Sequence, residues 1–275
     1  MTTGIVRITI IAALLSILAV SPVAAAYQNG VPVLLYHHVT GDSGDMPDLT
    51  ITPTEFQRQM AALKAAGFRT ISPDQLLAYM KGDPAPLPDK PVLITFDDGY
   101  TDNYTNAFPI LKQYDFQATL FMVGINFDRP NRLSSSQIRD MASGTFTIGS
   151  HSMTHPDLTA LTPAELERQV AGSKQKAEAI THKPVDFFAY PGGFYAPSTV
   201  TAVEAAGYKG AFSVLTGLNL AGRDNIYLLR RIPVFRDTDF DRLLALLTAN
   251  HPKTSLLDFD PVLPDDTDLS PQPAR

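Results

Sequence analysis

The 275-residue sequence contains no cysteine, no tryptophan and no run of basic residues. The absence of cysteine excludes disulfides, thiolate zinc sites and cysteine nucleophiles together. Without clustered Lys and Arg, and with a formal net charge of -6, the chain is not expected to bind nucleic acid. Hydrophobic residues make up 44% of the chain and charged residues only 18%, which excludes a disordered or coiled-coil protein and supplies a sizeable core.

Residues 1–26 have the layout of a secretory signal peptide. Arg7 gives a short positive region, residues 8–20 form an apolar run, and three alanines at 24–26 are typical of a cleavage site. The run is short for a membrane span, although an uncleaved N-terminal anchor is the alternative. We therefore expect export, a mature chain that begins at Tyr27 without a membrane span, and a periplasmic, secreted or envelope-associated location.

Beyond this segment, short apolar runs alternate with amphipathic helical patterns. Helix starts are indicated at Thr52, Ser72 and Thr162, each followed by Pro at the first helical position. The alternation predicts an α/β fold with parallel strands, as a barrel or a layered sheet. We expect one domain over residues 27–257, followed by an acidic, Pro-rich tail over 258–275. The predicted strands are 31–36, 92–96, 118–123, 146–149, 187–190, 210–214 and 226–234.

The first candidate motif, TFDDGY, follows the predicted strand 92–96 directly. Its adjacent carboxylates, Asp97 and Asp98, stand at the strand end where barrel enzymes gather catalytic groups. Because neighbouring residues at a strand exit point in different directions, one carboxylate could bind a metal while the other handles protons. Asp-Asp-Gly is also good turn chemistry, and for the motif taken alone a turn is the simpler interpretation.

The second motif, SHSMTH, follows the predicted strand 146–149 and contains His151 and His155. These two imidazoles can converge on one cation if the loop turns like a helix. Four of the six histidines lie in two pairs at strand ends, the other pair being His37 and His38. Two imidazoles and one carboxylate would leave a coordination position open for water, which is typical of catalytic metal sites.

The third motif, FFAYPGGFY over residues 187–195, places a Pro-Gly-Gly turn after an apolar strand. Glycines there let the backbone approach a ligand closely, and exposed N–H groups could stabilise an oxyanion. An ordinary strand and turn is the alternative.

In this order, the three motifs resemble those of the polysaccharide deacetylases of carbohydrate esterase family 4, over roughly residues 31–250. The resemblance implies a distorted (β/α) barrel in which Asp97 is the catalytic base. It implies one divalent metal ion on Asp98, His151 and His155, with zinc expected and cobalt, nickel or iron as alternatives.

The same resemblance suggests where a substrate would be bound. The Gly192 N–H would help to stabilise the oxyanion, and the rings of Tyr100, Tyr104, Tyr190 and Tyr195 could stack on sugar faces. Packing inside the barrel is the alternative for each of these rings.

Three departures from the family pattern bear on these roles. Ala189 stands where the third motif often has a base-orienting Arg, so Arg231 or Arg230 is the candidate for that role. The chain has no Trp for a D-x-x-D-W motif, and no clear late L-x-H motif, although His251 lies near its place.

The early Tyr-His-His resembles the subgroup acting on poly-β-1,6-N-acetylglucosamine, in which the His after Tyr is the general acid. This resemblance makes His37 the acid; a purely structural His37, with His251 as the acid, is the alternative.

The function implied by the resemblance is metal-dependent hydrolysis of N-acetyl groups from an acetylated amino-sugar polysaccharide, releasing acetate. The subgroup resemblance makes poly-β-1,6-N-acetylglucosamine the first candidate substrate. The alternatives are a deacetylase of chitin oligomers or peptidoglycan, and a non-catalytic glycan-binding module, which the missing third-motif Arg would favour.

Overall fold

A computed structural model describes residues 30–42, 44, 46–83 and 87–249. The predicted signal peptide, the C-terminal tail and His251 lie outside these residues, so the domain limits 27–257 stay a prediction. Within the described part of the chain, no helix is both long enough and apolar enough to cross a membrane.

The fold is built on an eight-stranded parallel sheet with the order β10-β1-β5-β6-β7-β8-β9, in which β4 also pairs with β5. Two further short strands, β2 and β3, pair in parallel beside it. In chain order the strands are β1 (Val33–Tyr36), β2 (His38–Val39), β3 (Thr50–Ile51), β4 (Arg69–Thr70), β5 (Pro91–Asp97), β6 (Ala118–Met122), β7 (Phe146–Ser150), β8 (Phe187–Ala189), β9 (Gly210–Phe212) and β10 (Ile232–Pro233). Six of the seven predicted strands are confirmed, with ends within two residues of those expected.

Helices connect the strands, and their starts follow from local capping chemistry. The predicted caps Thr52, Ser72 and Thr162 are confirmed, since each side-chain oxygen accepts a hydrogen bond from the backbone N–H three residues later. Ser134 caps a further helix that the sequence pattern did not reveal. The helices are α1 (Pro53–Ala65), α2 (Pro73–Met80), α3 (Phe108–Gln113), α4 (Ser135–Ser143), α5 (Pro163–Thr181), α6 (Pro197–Ala205) and α7 (Phe240–Thr248).

Alternate strand residues fill two separate apolar clusters. The helix-facing cluster contains strand residues such as Leu34 and Leu120 together with side chains of the surrounding helices. The other cluster contains Phe121 and Phe212, whose ring centroids are 5.2 Å apart although β6 and β9 are not neighbours in the sheet. Contact across two intervening strands shows that the sheet is strongly curled, as in the predicted distorted barrel.

The segment 226–234 brings the two ends of the curled sheet together. The prediction of one continuous strand is wrong here, because the chain changes partner along the segment. Leu229 forms a bridge with Phe212 of β9, whereas Ile232 pairs with Leu34 of β1. The residues between these two pairings are therefore held at the seam of the barrel.

Candidate active site

The TFDDGY motif is both a turn and a part of the site. Strand β5 ends at Asp97, and the chain then reverses through left-handed conformations at Asp98 (φ 71°) and Gly99 (φ 74°). Asp and Gly tolerate this region better than most residues. The turn places the two carboxylates in different surroundings. Asp97 is only 2% exposed, whereas the Asp98 side chain keeps 13% of its surface accessible.

His151 follows β7 and is oriented by a carbonyl of the third motif. Its Nδ1 lies 2.8 Å from the Ala189 carbonyl oxygen and must donate to it. The Nε2 atom is therefore unprotonated in the neutral ring, and it lies 3.6 Å from Asp97 Oδ2 and 3.9 Å from Asp98 Oδ1. Burial lowers the pKa of His151 against the opposing effect of both carboxylates, which favours the neutral ring.

His155 joins the same cluster from a more exposed position. Its Nε2 lies 3.7 Å from Asp98 Oδ1, and its ring centroid is 4.8 Å from that of His151. The sequence argument required this loop to turn like a helix, and it does not. Left-handed residues at Ser152 (φ 66°) and His155 (φ 59°) produce the convergence instead.

Asp98, His151 and His155 form a potential metal site. One ligand atom from each residue lies within 4.8 Å of the others, and in the described chain no other such group of three was found. Two imidazole nitrogens and one carboxylate oxygen suit zinc and similar divalent metals. The Ala189 carbonyl on the second nitrogen of His151 is the outer-shell partner that metal-binding histidines commonly have. The donor set therefore fits the cation implied by the sequence resemblance.

Arg231, at the barrel seam, forms a bidentate ion pair with Asp97. Both guanidinium Nη atoms lie 2.8 Å from the two carboxylate oxygens, and Nε donates to the Ser213 carbonyl. Burial opposes ionisation of Asp97, but the charge of Arg231 and its hydrogen bonds outweigh this effect and lower the pKa of Asp97 to about 2. Of the two Arg candidates, the structure places Arg231 on Asp97, whereas Arg230 Nε lies 3.5 Å from Asp224.

The neighbouring histidines after β1 have different surroundings. Desolvation lowers the pKa of His37, and the nearby charges of Asp97 and Asp98 oppose this shift, so the His37 ring shares the electrostatic environment of the carboxylates. His38 instead places its Nδ1 2.6 Å from Asp102 Oδ2.

The third motif contributes backbone rather than aromatic rings. Gly192 is exposed, with φ 61°, in the short helical turn Pro191–Gly193. Tyr190 is fully buried and donates its hydroxyl hydrogen to the Tyr227 carbonyl, and the Tyr195 ring is buried against it. Packing inside the barrel is therefore what the structure shows, and the sugar-stacking surface expected from these two rings is not formed.

Sequence reasoning assigned no role to Asp102 or Asn103, and for Tyr100 it considered only stacking on a sugar face. Tyr100 donates its hydroxyl hydrogen to Asp98 Oδ2 at 3.0 Å. Asn103 donates to the His37 carbonyl at 2.7 Å, and Asp102 contacts His38. A signal was present, since all three lie within six residues of Asp97, in and just after the motif. Their partners, however, depend on the fold.

Comparison with known proteins agrees with this geometry. Residues 85–211 match the family model described as polysaccharide deacetylase. A Bacillus subtilis protein, provisionally named polysaccharide deacetylase YxkH, is 35% identical over 205 residues, which cover 74% of this chain and 71% of the relative. A poly-beta-1,6-N-acetyl-D-glucosamine N-deacetylase of Staphylococcus epidermidis is 28% identical over 79% of this chain and 83% of its own length.

Among solved structures, the polysaccharide deacetylase BC0361 of Bacillus cereus superposes with a TM-score of 0.71 and 31% identity, over 79% of this chain and 69% of that one. The fold, the motifs and the relatives agree with the resemblance seen in the sequence. The chain belongs to the polysaccharide deacetylase family, and its enzymatic class is that of an amide hydrolase.

Proposed function

We propose that this deacetylase hydrolyses the N-acetyl groups of poly-β-1,6-N-acetylglucosamine, releasing acetate, with one zinc ion held by Asp98, His151 and His155. One observation carries the proposal. A buried carboxylate, fixed by the Arg231 fork, lies beside a separate group of metal-ligand type. This arrangement supports different tasks for the adjacent residues Asp97 and Asp98.

A zinc ion at this site would supply Lewis-acid polarisation of the acetyl carbonyl and would acidify water. The remaining chemistry belongs to the protein. Asp97 is ionised at neutral pH, so it can accept the proton of the attacking water. Because both carboxylate oxygens are held by Arg231, the base cannot rotate away from the reacting atoms.

Two further groups complete the proposed reaction. The exposed backbone at Gly192 can present its N–H to the oxyanion that develops on the acetyl carbonyl. His37 donates a proton to the leaving amine nitrogen as the C–N bond breaks. The lowered pKa of His37 makes the imidazolium a stronger acid, while fewer molecules carry the proton at neutral pH.

The β-1,6-linked substrate rests on two supports. The first is the early Tyr-His-His segment, in which the charges of Asp97 and Asp98 act on the pKa of His37. The second is the Staphylococcus epidermidis relative, which is named for this polymer and is similar along most of both chains. Chitin oligomers and peptidoglycan present the same acetamide with β-1,4 linkages, so they are the competing outcomes of a substrate test.

The test compares acetate release from β-1,6- and β-1,4-linked N-acetylglucosamine oligomers of equal length. We expect a higher kcat/KM on the β-1,6 series, and a preference for the β-1,4 series would overturn the assignment. The same panel run with His37→Ala should show a loss of about 10²–10⁴-fold on acetamides. An activated acetyl ester, whose leaving group needs little protonation, should lose much less. Equal losses on both substrates would contradict the acid role.

We also propose that the protein acts outside the cytoplasm. The support is the charged, apolar and small-residue pattern of residues 1–26. Cell fractionation should recover the protein in the periplasm, envelope or medium. Recovery in the cytoplasm alone would contradict export.

A further inference from the structure

The two oxygens of Asp98 have different partners. Oδ1 lies 3.9 Å from His151 Nε2 and 3.7 Å from His155 Nε2, on the side where a cation would be held. Oδ2 accepts a hydrogen bond from the Tyr100 hydroxyl at 3.0 Å. The hydroxyl therefore occupies one oxygen of the carboxylate and leaves the other directed at the two imidazoles.

The Tyr100 ring is clamped between two planar groups, the His38 ring and the Arg132 guanidinium. The His38 ring centroid lies 3.4 Å from the Tyr100 centroid with an interplanar angle of 31°, and the Arg132 guanidinium carbon lies 4.0 Å from it. Two groups this close to one ring centre must occupy opposite faces. Tyr100 is also only 4% exposed, so its ring has little freedom to move.

Both sides of this clamp are themselves held in place. Asp102 accepts from His38 Nδ1 at 2.6 Å and from the Val39 backbone N–H at 2.9 Å. On the other side, Arg132 Nη1 donates to the Asp98 backbone carbonyl at 3.4 Å. Asp102, His38, Tyr100 and Asp98 thus form a continuous series of contacts that ends on a ligand of the proposed cation.

We propose that Tyr100 is a positioning residue for Asp98, and that the Asp102–His38 pair orients Tyr100. The inference rests on the proposed metal site and adds a role for residues to which that proposal gave none. Holding Oδ2 by a hydrogen bond directs Oδ1 toward the cation and reduces the conformational freedom that metal binding must remove. It also gives the adjacent histidines different roles, since His37 donates a proton in the proposed reaction and His38 orients Tyr100.

The central experiment measures the zinc dissociation constant of the full-chain protein by competition with a chromogenic chelator. Tyr100→Phe removes only the hydroxyl and keeps the ring. We expect it to raise this constant by about 10–100-fold, the usual effect of losing an outer-shell partner. The matched control is Tyr104→Phe, because Tyr104 also donates its hydroxyl hydrogen to a carboxylate, that of Asp140 at the surface. Its zinc dissociation constant should equal that of the parent.

A double-mutant cycle tests whether His38 acts through the Tyr100 hydroxyl. His38→Ala should weaken zinc binding in the parent but cause little additional loss in the Tyr100→Phe background, because the hydroxyl is already gone. Additive losses would contradict the proposed series of contacts. This non-additivity separates positioning from general destabilisation, which would weaken both backgrounds alike.

His151→Ala distinguishes failure of this inference from failure of the proposed function. If His151→Ala loses zinc while Tyr100→Phe binds it as tightly as the parent, the positioning role is wrong and the metal site stands. If the parent binds no zinc, or His151→Ala binds it normally, both proposals are overturned. Thermal unfolding of each variant identifies a temperature at which all variants are folded. Weaker zinc binding by Tyr100→Phe at that temperature cannot then be caused by unfolding.

Discussion

At the scale of single residues, the Asp97–Arg231 pair shows how one contact can serve both stability and chemistry. Arg231 is fully buried and Asp97 nearly so, and the two are joined by two short hydrogen bonds. Desolvating both charges is costly, so the pair adds less net stability than its geometry suggests. Removing one of the two partners is strongly destabilising, because the remaining charge stays buried without a partner.

Arg231→Met keeps much of the side-chain volume and leaves Asp97 unpaired. We expect unfolding free energy to fall by about 3–5 kcal/mol at neutral pH, the usual effect of breaking a buried pair. In the parent the folded-state pKa of Asp97 is lowered to about 2. The contribution of the pair is thus present above the unfolded-state pKa of about 3.9 and is lost as the pH falls towards 2. Urea unfolding across this range should show the gap between parent and variant closing.

The control for this substitution is Arg58→Met. Arg58 is paired with Glu55 and Asp241, but 45% of its side chain is exposed, so its pairs are screened by water. A loss of no more than about 1 kcal/mol is expected there. Equal losses of unfolding free energy in Arg58→Met and Arg231→Met would contradict the argument that burial makes the loss of the Asp97–Arg231 pair more costly.

At the scale of elements, strand β7, which ends just before His151, contains a glycine at a position where a side chain would not fit. Gly149 lies against the Phe121 ring, and a Cβ built there would lie 2.5 Å from two ring carbons and 3.0 Å from the Phe187 carbonyl oxygen. Phe121 is fully buried and lies beneath Arg231, so it has no space into which it can retreat. Gly149 therefore leaves the space that the Phe121 ring occupies.

Gly149→Ala should destabilise the protein by about 1–3 kcal/mol through overpacking of the barrel interior. Gly172→Ala is the matched control. Gly172 lies within helix α5, and a Cβ added there would meet only the Met153 methyl group, at an ordinary contact distance of 3.4 Å. Alanine is the better helix former, so this variant should gain up to about 1 kcal/mol. Denaturant unfolding measures both, and a neutral Gly149→Ala would contradict the packing argument.

Also at this scale, the sequence predicts the strands that carry the site better than the contacts between them. Asp97, Asp98, His151 and His155 could be found because each follows an apolar strand, and parallel strands bring their C-terminal ends to one edge. The choice between Arg230 and Arg231 could not be made. Adjacent residues of an extended chain face opposite sides, and their orientation depends on a register with distant strands.

The contact of Tyr100 with Asp98 could not be predicted from the sequence either. It depends on left-handed backbone at Asp98 and Gly99, which Asp-Asp-Gly permits but does not require. The nine-residue strand predicted for 226–234 failed because its partner changes from β9 to β1, while the apolar residues on either side of Arg230 and Arg231 look alike in the sequence. Such a change is a property of barrel closure and leaves no local signal.

At the scale of the whole molecule, barrel closure brings together groups that are distant in the chain. Asp97 and Arg231 are separated by 134 positions, and Asp98 meets two histidines more than fifty residues away. The site therefore exists only in the folded chain. A cation held by Asp98, His151 and His155 would bind the native state in preference to the unfolded one, and so would stabilise the entire barrel.

The proposed zinc site thus predicts a shift in melting temperature. Zinc at about 100 times its dissociation constant adds about 2.7 kcal/mol. At this chain length each kcal/mol shifts Tm by about 2–4 °C, so calorimetry with zinc and with chelator should differ by about 5–10 °C. Asp97→Asn should retain the shift, because Arg231 rather than the cation holds that carboxyl group, whereas Asp98→Asn and His151→Ala should abolish it. Loss of the shift in Asp97→Asn with its retention in Asp98→Asn would reverse the two proposed roles, since the ligand would then be the residue that ends β5.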